Sequence, residues 1–131
     1  MGLDVGQKRI GVARASALAM LAEPLDSIAA QDSIKELLKL VDDHSIGTIV
    51  VGLPRNLDSK DTKQTEWVRQ WVNDAKAKIE LPFFWQDEAL TSVVAEAERQ
   101  AHKKPKDIDS LAAAIILQDF LDTPEADRLP C

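Results

Sequence analysis

The sequence predicts an α/β fold, with a mixed five-stranded sheet made of a three-strand meander plus two parallel strands and flanked by about four helices. Three observations predict it. Leu3-Asp4-Val5-Gly6-Gln7-Lys8-Arg9-Ile10-Gly11-Val12-Ala13 reads as a strand, a tight turn and a returning strand, with an aspartate at the mouth. Thr48-Ile49-Val50-Val51-Gly52-Leu53 is a continuous, β-branched apolar run, the pattern of a strand buried on both faces. Between them, Ile34, Leu37, Leu38 and Val41 fall at i, i+3, i+4 and i+7, the stripe of an amphipathic helix. Strand, helix, strand in that order makes a parallel pair with a right-handed crossover.

The remaining elements follow in chain order. Met1 to Asp4 is short for a strand, so either the strand is clipped or the natural chain starts a few residues earlier. Arg9 to Ala15 is the second strand and Glu23 to Ile28 the third, with Pro24 confining its ladder to an edge or a strand end. The first helix spans Ser33 to His44; Ser33 and Glu36 have capping-box spacing, and Gly47 follows as a stop. Pro54 to Thr62 is a polar loop. The second helix, about Thr62 to Ile79, carries its stripe on Val68, Trp71, Val72 and Ala75. Trp67 and Trp71 sit one turn apart, which reads as packing rather than a base-stacking pair.

Pro82-Phe83-Phe84-Trp85-Gln86 is a short buried strand ending at Asp87-Glu88. Thr91 caps a helix through about Ala101, and His102 to Lys106 is a basic loop. The last helix, about Ile108 to Leu121, is apolar nearly all round from Leu111 to Leu117 and is therefore expected to be buried. No repeat or linker divides the chain. Residues 1–122 are read as one domain and 123–131, with its prolines, as a loose tail. A meander followed by βαβ units is the ribonuclease H-like arrangement.

The chain has 131 residues, a common size for one domain and enough to bury a core without staples. Its single cysteine, Cys131, excludes an internal disulfide and a Cys-rich zinc site. No apolar run approaches the roughly 18 residues of a membrane span, and no signal peptide is visible, so a cytoplasmic location without membrane association is expected. The formal net charge of −6 weighs against holding nucleic acid by bulk charge. It leaves room for a nuclease, because clustered metal-binding carboxylates lower the count themselves.

Three acids arrive at matching positions. Asp4 ends the first strand, Glu88 lies just past the last strand, and Asp109 opens the last helix. The carboxyl ends of parallel strands share one edge, where ligands bind. Converging carboxylates repel one another, and a divalent cation relieves that. Oxygen-only ligands favour Mg²⁺ or Mn²⁺ over Zn²⁺. Each acid also has a plainer reading: Asp109 as the N-cap of its helix, and Asp87-Glu88 as a solvated pair. Asp4 resists one, since an acid in an apolar strand end is costly without a partner or a function. Lys8, Arg9, Lys103, Lys104 and Lys106 can neutralise phosphates around such a site, or can be solvated surface. His44 and His102 form no metal spacing, no Ser/His/Asp set is visible, and Gly6 and Gly11 do not make a P-loop.

Four blocks, in order, are similar to those of the YqgF/RuvX family of Holliday junction resolvase-like nucleases, within the ribonuclease H-like superfamily. They are Leu3-Asp4-Val5-Gly6 through Lys8-Arg9-Ile10-Gly11-Val12-Ala13; Ile49-Val50-Val51-Gly52-Leu53-Pro54 with Asn56-Leu57-Asp58; Asp87-Glu88 with Leu90-Thr91; and Ile108-Asp109-Ser110 with Ala112-Ala113 and Ile116-Leu117-Gln118. The resemblance implies a metal-dependent nuclease for structured nucleic acid, processing the 5′ end of the small-subunit ribosomal RNA precursor or resolving branched DNA. It implies Asp4, Glu88 and Asp109 as catalytic and metal-binding carboxylates of a two-metal Mg²⁺ or Mn²⁺ site that leaves a 5′-phosphate and a 3′-hydroxyl. Substrate contacts are expected from Lys8, Arg9, Arg55, Asn56, Lys104 and Lys106, in a monomer or homodimer.

The chain departs from the family pattern at Gln7, at Arg14-Ala15-Ser16, at Ser59-Lys60 and, most pointedly, at Ala89, where an arginine normally follows the acid. Arginine grips phosphate with a fixed fork, which this position lacks. Two other readings are a binding module of the same fold without catalysis, and actin-like or sugar-kinase-type phosphotransfer. For the second, the Asp4-Val5-Gly6 turn fits, but the chain has no room for a closing domain.

Overall fold

The sheet is mixed and runs in the order β3 (Glu23–Ala29), β2 (Arg9–Arg14), β1 (Gly2–Val5), β4 (Ile49–Arg55), β5 (Phe83–Ala89) and β6 (Leu129–Pro130). The computed structural model describes residues 1–55, 61–100 and 104–131, with 55, 88–94, 105 and 106 described as backbone alone. Strands β1, β2 and β3 form the antiparallel meander, and β4 and β5 extend it in parallel from β1. Pro24 lies in β3, an edge strand, where its missing N–H removes no bond from a central ladder.

A sixth strand, β6, corrects both the expected strand count and the expected loose tail. It pairs antiparallel with β5, and the Cys131 amide donates to the Phe83 carbonyl at 2.8 Å. A 3₁₀ turn at Glu125–Asp127 leads into it, and the Arg128 guanidinium lies 4.4 Å from the Phe120 ring centroid. Without β6, the start of β5 would leave unpaired backbone groups on an open edge.

Two cores lie on opposite faces of the sheet, because successive side chains of a strand point to opposite sides. Leu3, Val5, Ile10, Val12, Ile49 and Val51 pack against helices α1 (Ser33–Asp43) and α2 (Lys63–Lys76) through Leu37, Val68, Trp71 and Val72. On the other face, Ala13 and Val50 meet α3 (Leu90–Gln100) and α4 (Pro105–Asp122) through Ala97, Ala112, Ala113, Ile116, Leu117 and Phe120. Each fully buried Val, Leu, Ile or Phe contributes about 1.5–3 kcal/mol.

Helix starts differ from the sequence reading in instructive ways. Ser33 makes no capping box; it is buried and its hydroxyl accepts the Trp71 indole N–H at 3.2 Å, while Asp32, in the left-handed region at φ 61°, is the N-cap. In α2, Thr62 and Thr65 form the reciprocal cap instead. Strand β5 runs through Glu88 to Ala89, and α3 begins at the next residue, Leu90. Helix α4 begins at Pro105, in the first turn, where a missing N–H goes unneeded. Asp109 therefore lies in the second turn and neither opens nor caps the helix.

Candidate active site

Asp4 is placed by strand register. It pairs with Gly11 across β1 and β2, and Gly11 pairs with Ser27 across β2 and β3. The three residues form one row on the α4 face of the sheet. Gly11 has no side chain, and its place is filled by helix backbone: a Cβ built on it would stand 1.9 Å from the Asp109 carbonyl oxygen. This glycine makes room for the backbone of α4. Gly2 and Gly52 receive the same helix further along, at Ala113 and Leu117 and at Ile116. Asp109 thus comes down over Gly11, between Asp4 on one side and Ser27 on the other.

The electrostatics follow from that seat. Asp4 is partly buried, and its carboxyl is pushed up from 3.8 to about 6, first by burial and then by the charge of Asp109. Among the described residues no hydrogen-bond donor reaches it. Asp109 is better served: Arg9 Nε donates to its Oδ2 at 2.6 Å and Ser27 Oγ to the same oxygen at 3.1 Å. Arg9 precedes Gly11 by two residues on β2 and so shares its face. Sequence reasoning missed Ser27. The signal available was strand parity within β3, which a single polar residue in a half-exposed strand does not announce.

Glu88 sits in β5 with its backbone opposite Pro54 of β4, at the strand parity of Phe84 and Gln86 and one strand removed from β1. Its side chain lies outside the described residues. Among the described residues no three His, Cys, Asp or Glu side chains gather as a metal set. Asp4 and Asp109 are nevertheless two hard oxygen donors whose mutual repulsion a cation would relieve, and that chemistry fits Mg²⁺ or Mn²⁺. Of the expected substrate residues, Lys8 is exposed in the turn before β2 and Lys104 is exposed at the N-cap of α4. Arg9 is drawn to Asp109. Arg55 and Lys106 are described as backbone alone, and Asn56 lies outside the described residues. A separate cavity of about 900 Å³, lined by Met1, Thr48, Pro82, Phe84 and Phe120 among others, opens at the opposite ends of the parallel strands, away from the carboxylates.

The mixed sheet and its helices make a ribonuclease H-like fold, with an acid on the first strand and an acid on the last long helix brought together over Gly11. A family model described as "RuvX: Holliday junction resolvase" matches residues 1–123, and the chain belongs to the RuvX family. A relative from Roseiflexus sp. (strain RS-1), named "Putative pre-16S rRNA nuclease", is 42% identical over 94% of this chain and 93% of its own. One from Desulforamulus reducens with the same name is 37% identical over 94% and 96%. Among solved structures, Thermus thermophilus RuvC in complex with a Holliday junction substrate superposes with a TM-score of 0.59 over 99% of this chain and 97% of that one, at 14% identity. A second RuvC structure from the same species gives 0.54 over 99% and 98%, at 15% identity. At those identities the likeness is one of fold.

Proposed function

We propose that this protein is a divalent-metal-dependent nuclease that cuts structured nucleic acid and processes the 5′ end of the 16S ribosomal RNA precursor. The observation that carries the reading is the facing of Asp4 and Asp109 across Gly11, with the Asp4 carboxyl raised by burial and by its neighbour. Two acids set against each other without a cation are an unfavourable arrangement for stability alone. The names of the full-length relatives support the ribosomal substrate.

In this reading Asp4 and Asp109, completed by Glu88, hold the metal. Bound Mg²⁺ or Mn²⁺ supplies a water of lowered pKa and positive charge for the leaving oxygen. Lys8 and Lys104, exposed at the start of β2 and of α4, meet backbone phosphates; Arg55, Asn56 and Lys106 extend that contact. Arg55 is the register partner of Ala89, so a guanidinium-bearing residue stands one strand across from the position without an arginine. No described helix is long and apolar enough to cross a membrane, and we place the activity in the cytoplasm.

The test joins binding to cutting. Mg²⁺ at about 100 times its Kd should stabilise the protein by about 2.7 kcal/mol. Asp4→Asn should remove that gain and lower cleavage of a labelled stem-containing precursor RNA by roughly a thousandfold, about 4 kcal/mol of barrier. Metal-independent cleavage, or full activity in Asp4→Asn, would sink the proposal. Binding of that RNA without cleavage at any metal concentration would point to a binding module.

A further inference from the structure

We propose that Ser27 and Arg9 are positioning residues for Asp109: together they bind one oxygen of its carboxylate and so determine which oxygen is presented beside Asp4. The inference rests on reading Asp4 and Asp109 as metal ligands.

Both donors reach the same atom. Arg9 Nε, from the start of β2, and Ser27 Oγ, from β3, converge on Asp109 Oδ2 at 2.6 and 3.1 Å. Among the described residues Oδ1 carries no hydrogen bond. The row across the sheet runs Ser27, Gly11, Asp4, and Asp109 stands over its middle member. Ser27 and Arg9 thus hold Oδ2 from the β3 and β2 side of that row, and Oδ1 is the oxygen left to face a ligand shared with Asp4 in this proposal. The terminal torsion of an aspartate is broad, so nothing intrinsic to the helix would choose this orientation. Two donors on one oxygen, one of them charged, do choose it.

The arrangement is poorly suited to a purely stabilising role. The Arg9 side chain is 46% exposed and that of Asp109 19% exposed, and half-exposed ion pairs contribute little to folding. It is well suited to preparing a ligand, since residues that orient a metal-binding carboxylate typically change metal affinity 10- to 100-fold when removed. Arg9 engages Asp109 through Nε, and among the described residues no hydrogen bond is made by the two terminal nitrogens of its fork. A lysine would bring one compact ammonium in place of this fixed fork.

The experiment uses the whole chain and reads metal binding without substrate. Mg²⁺ is titrated by thermal unfolding, and Mn²⁺ by the loss of its free-ion electron paramagnetic resonance signal. Ser27→Ala should weaken both affinities roughly tenfold, while its metal-free melting temperature stays within a few degrees of the parent. Ser27→Thr, which keeps the hydroxyl, should restore the affinity, and Arg9→Lys should weaken it as Ser27→Ala does. Ser27→Ala with parental affinity, or Ser27→Thr as impaired as Ser27→Ala, overturns the assignment. If the parent shows no metal response that Asp4→Asn removes, the metal-site reading itself fails and takes this inference with it. If the parent and Asp4→Asn behave as proposed, a null result in Ser27→Ala removes the positioning role alone.

Discussion

The Asp4 carboxyl lies on a central strand beneath α4, and both its burial and the neighbouring Asp109 oppose its charge. Between pH 3.8 and about 6 the folded protein keeps Asp4 protonated while the unfolded chain has released that proton. The folded state binds more protons in that window, so its stability falls as pH rises through it and the loss is complete above about 6. In metal-free buffer, Asp4→Asn should flatten this part of the profile and stabilise the protein at pH 7 by about 1–3 kcal/mol. Urea unfolding of both proteins from pH 4 to 7.5 checks it; a parallel pair of profiles would mean that Asp4 is ionised without penalty. Asp4 was legible in the sequence because an acid in an apolar strand end stands out. Ser27 was not, because its partner Asp109 lies 82 residues away and only the register of three strands brings them together.

Among the elements, α4 has the strictest demands. It crosses the sheet over Gly11, Gly2 and Gly52, and at Gly11 the approach is closest. Gly11→Ala would drive a methyl into the Asp109 carbonyl and lift the helix with its acid. We expect a loss of about 2–4 kcal/mol, at or beyond the usual range for overpacking, together with loss of the metal response. Gly47→Ala is the control, since a Cβ there meets nothing within 4 Å, and it should stay within about 0.5 kcal/mol. Denaturant unfolding of the two variants separates the outcomes, and equal stabilities would refute the seat. The sequence announced α4 as a buried helix through its all-round apolar character. It misled about where the helix begins, because Pro105 and its neighbours read locally as loop while Pro suits a first helical turn.

At the scale of the molecule, the sheet separates two cores and its edges are treated differently. One edge is β3, which carries Pro24; beyond β5 the other is closed by β6. Removing Leu129 to Cys131 should expose the start of β5, lower stability by about 1–2 kcal/mol through lost backbone bonds, and raise self-association. Unfolding midpoints and light scattering at matched concentrations would show it; an unchanged midpoint with no added scattering would mean that β6 adds nothing. The Lys76 ammonium bound to the Cys131 carbonyl at 2.8 Å ties this strand to α2 as well.

The sequence by itself determined the order of the first five strands and four helices, the buried stripe of α2, and the candidacy of Asp4. Hydrophobic period and turn residues act over a few neighbours, and those signals survive in one dimension. Only the tertiary structure decided the rest. Apposition of Asp109 to Asp4 depends on a missing side chain at Gly11, and the hold on Asp109 depends on Arg9 and Ser27 meeting from separate strands. The terminal strand forms because β5 offers an unpaired edge, a property of the assembled sheet that no local pattern in residues 123–131 contains.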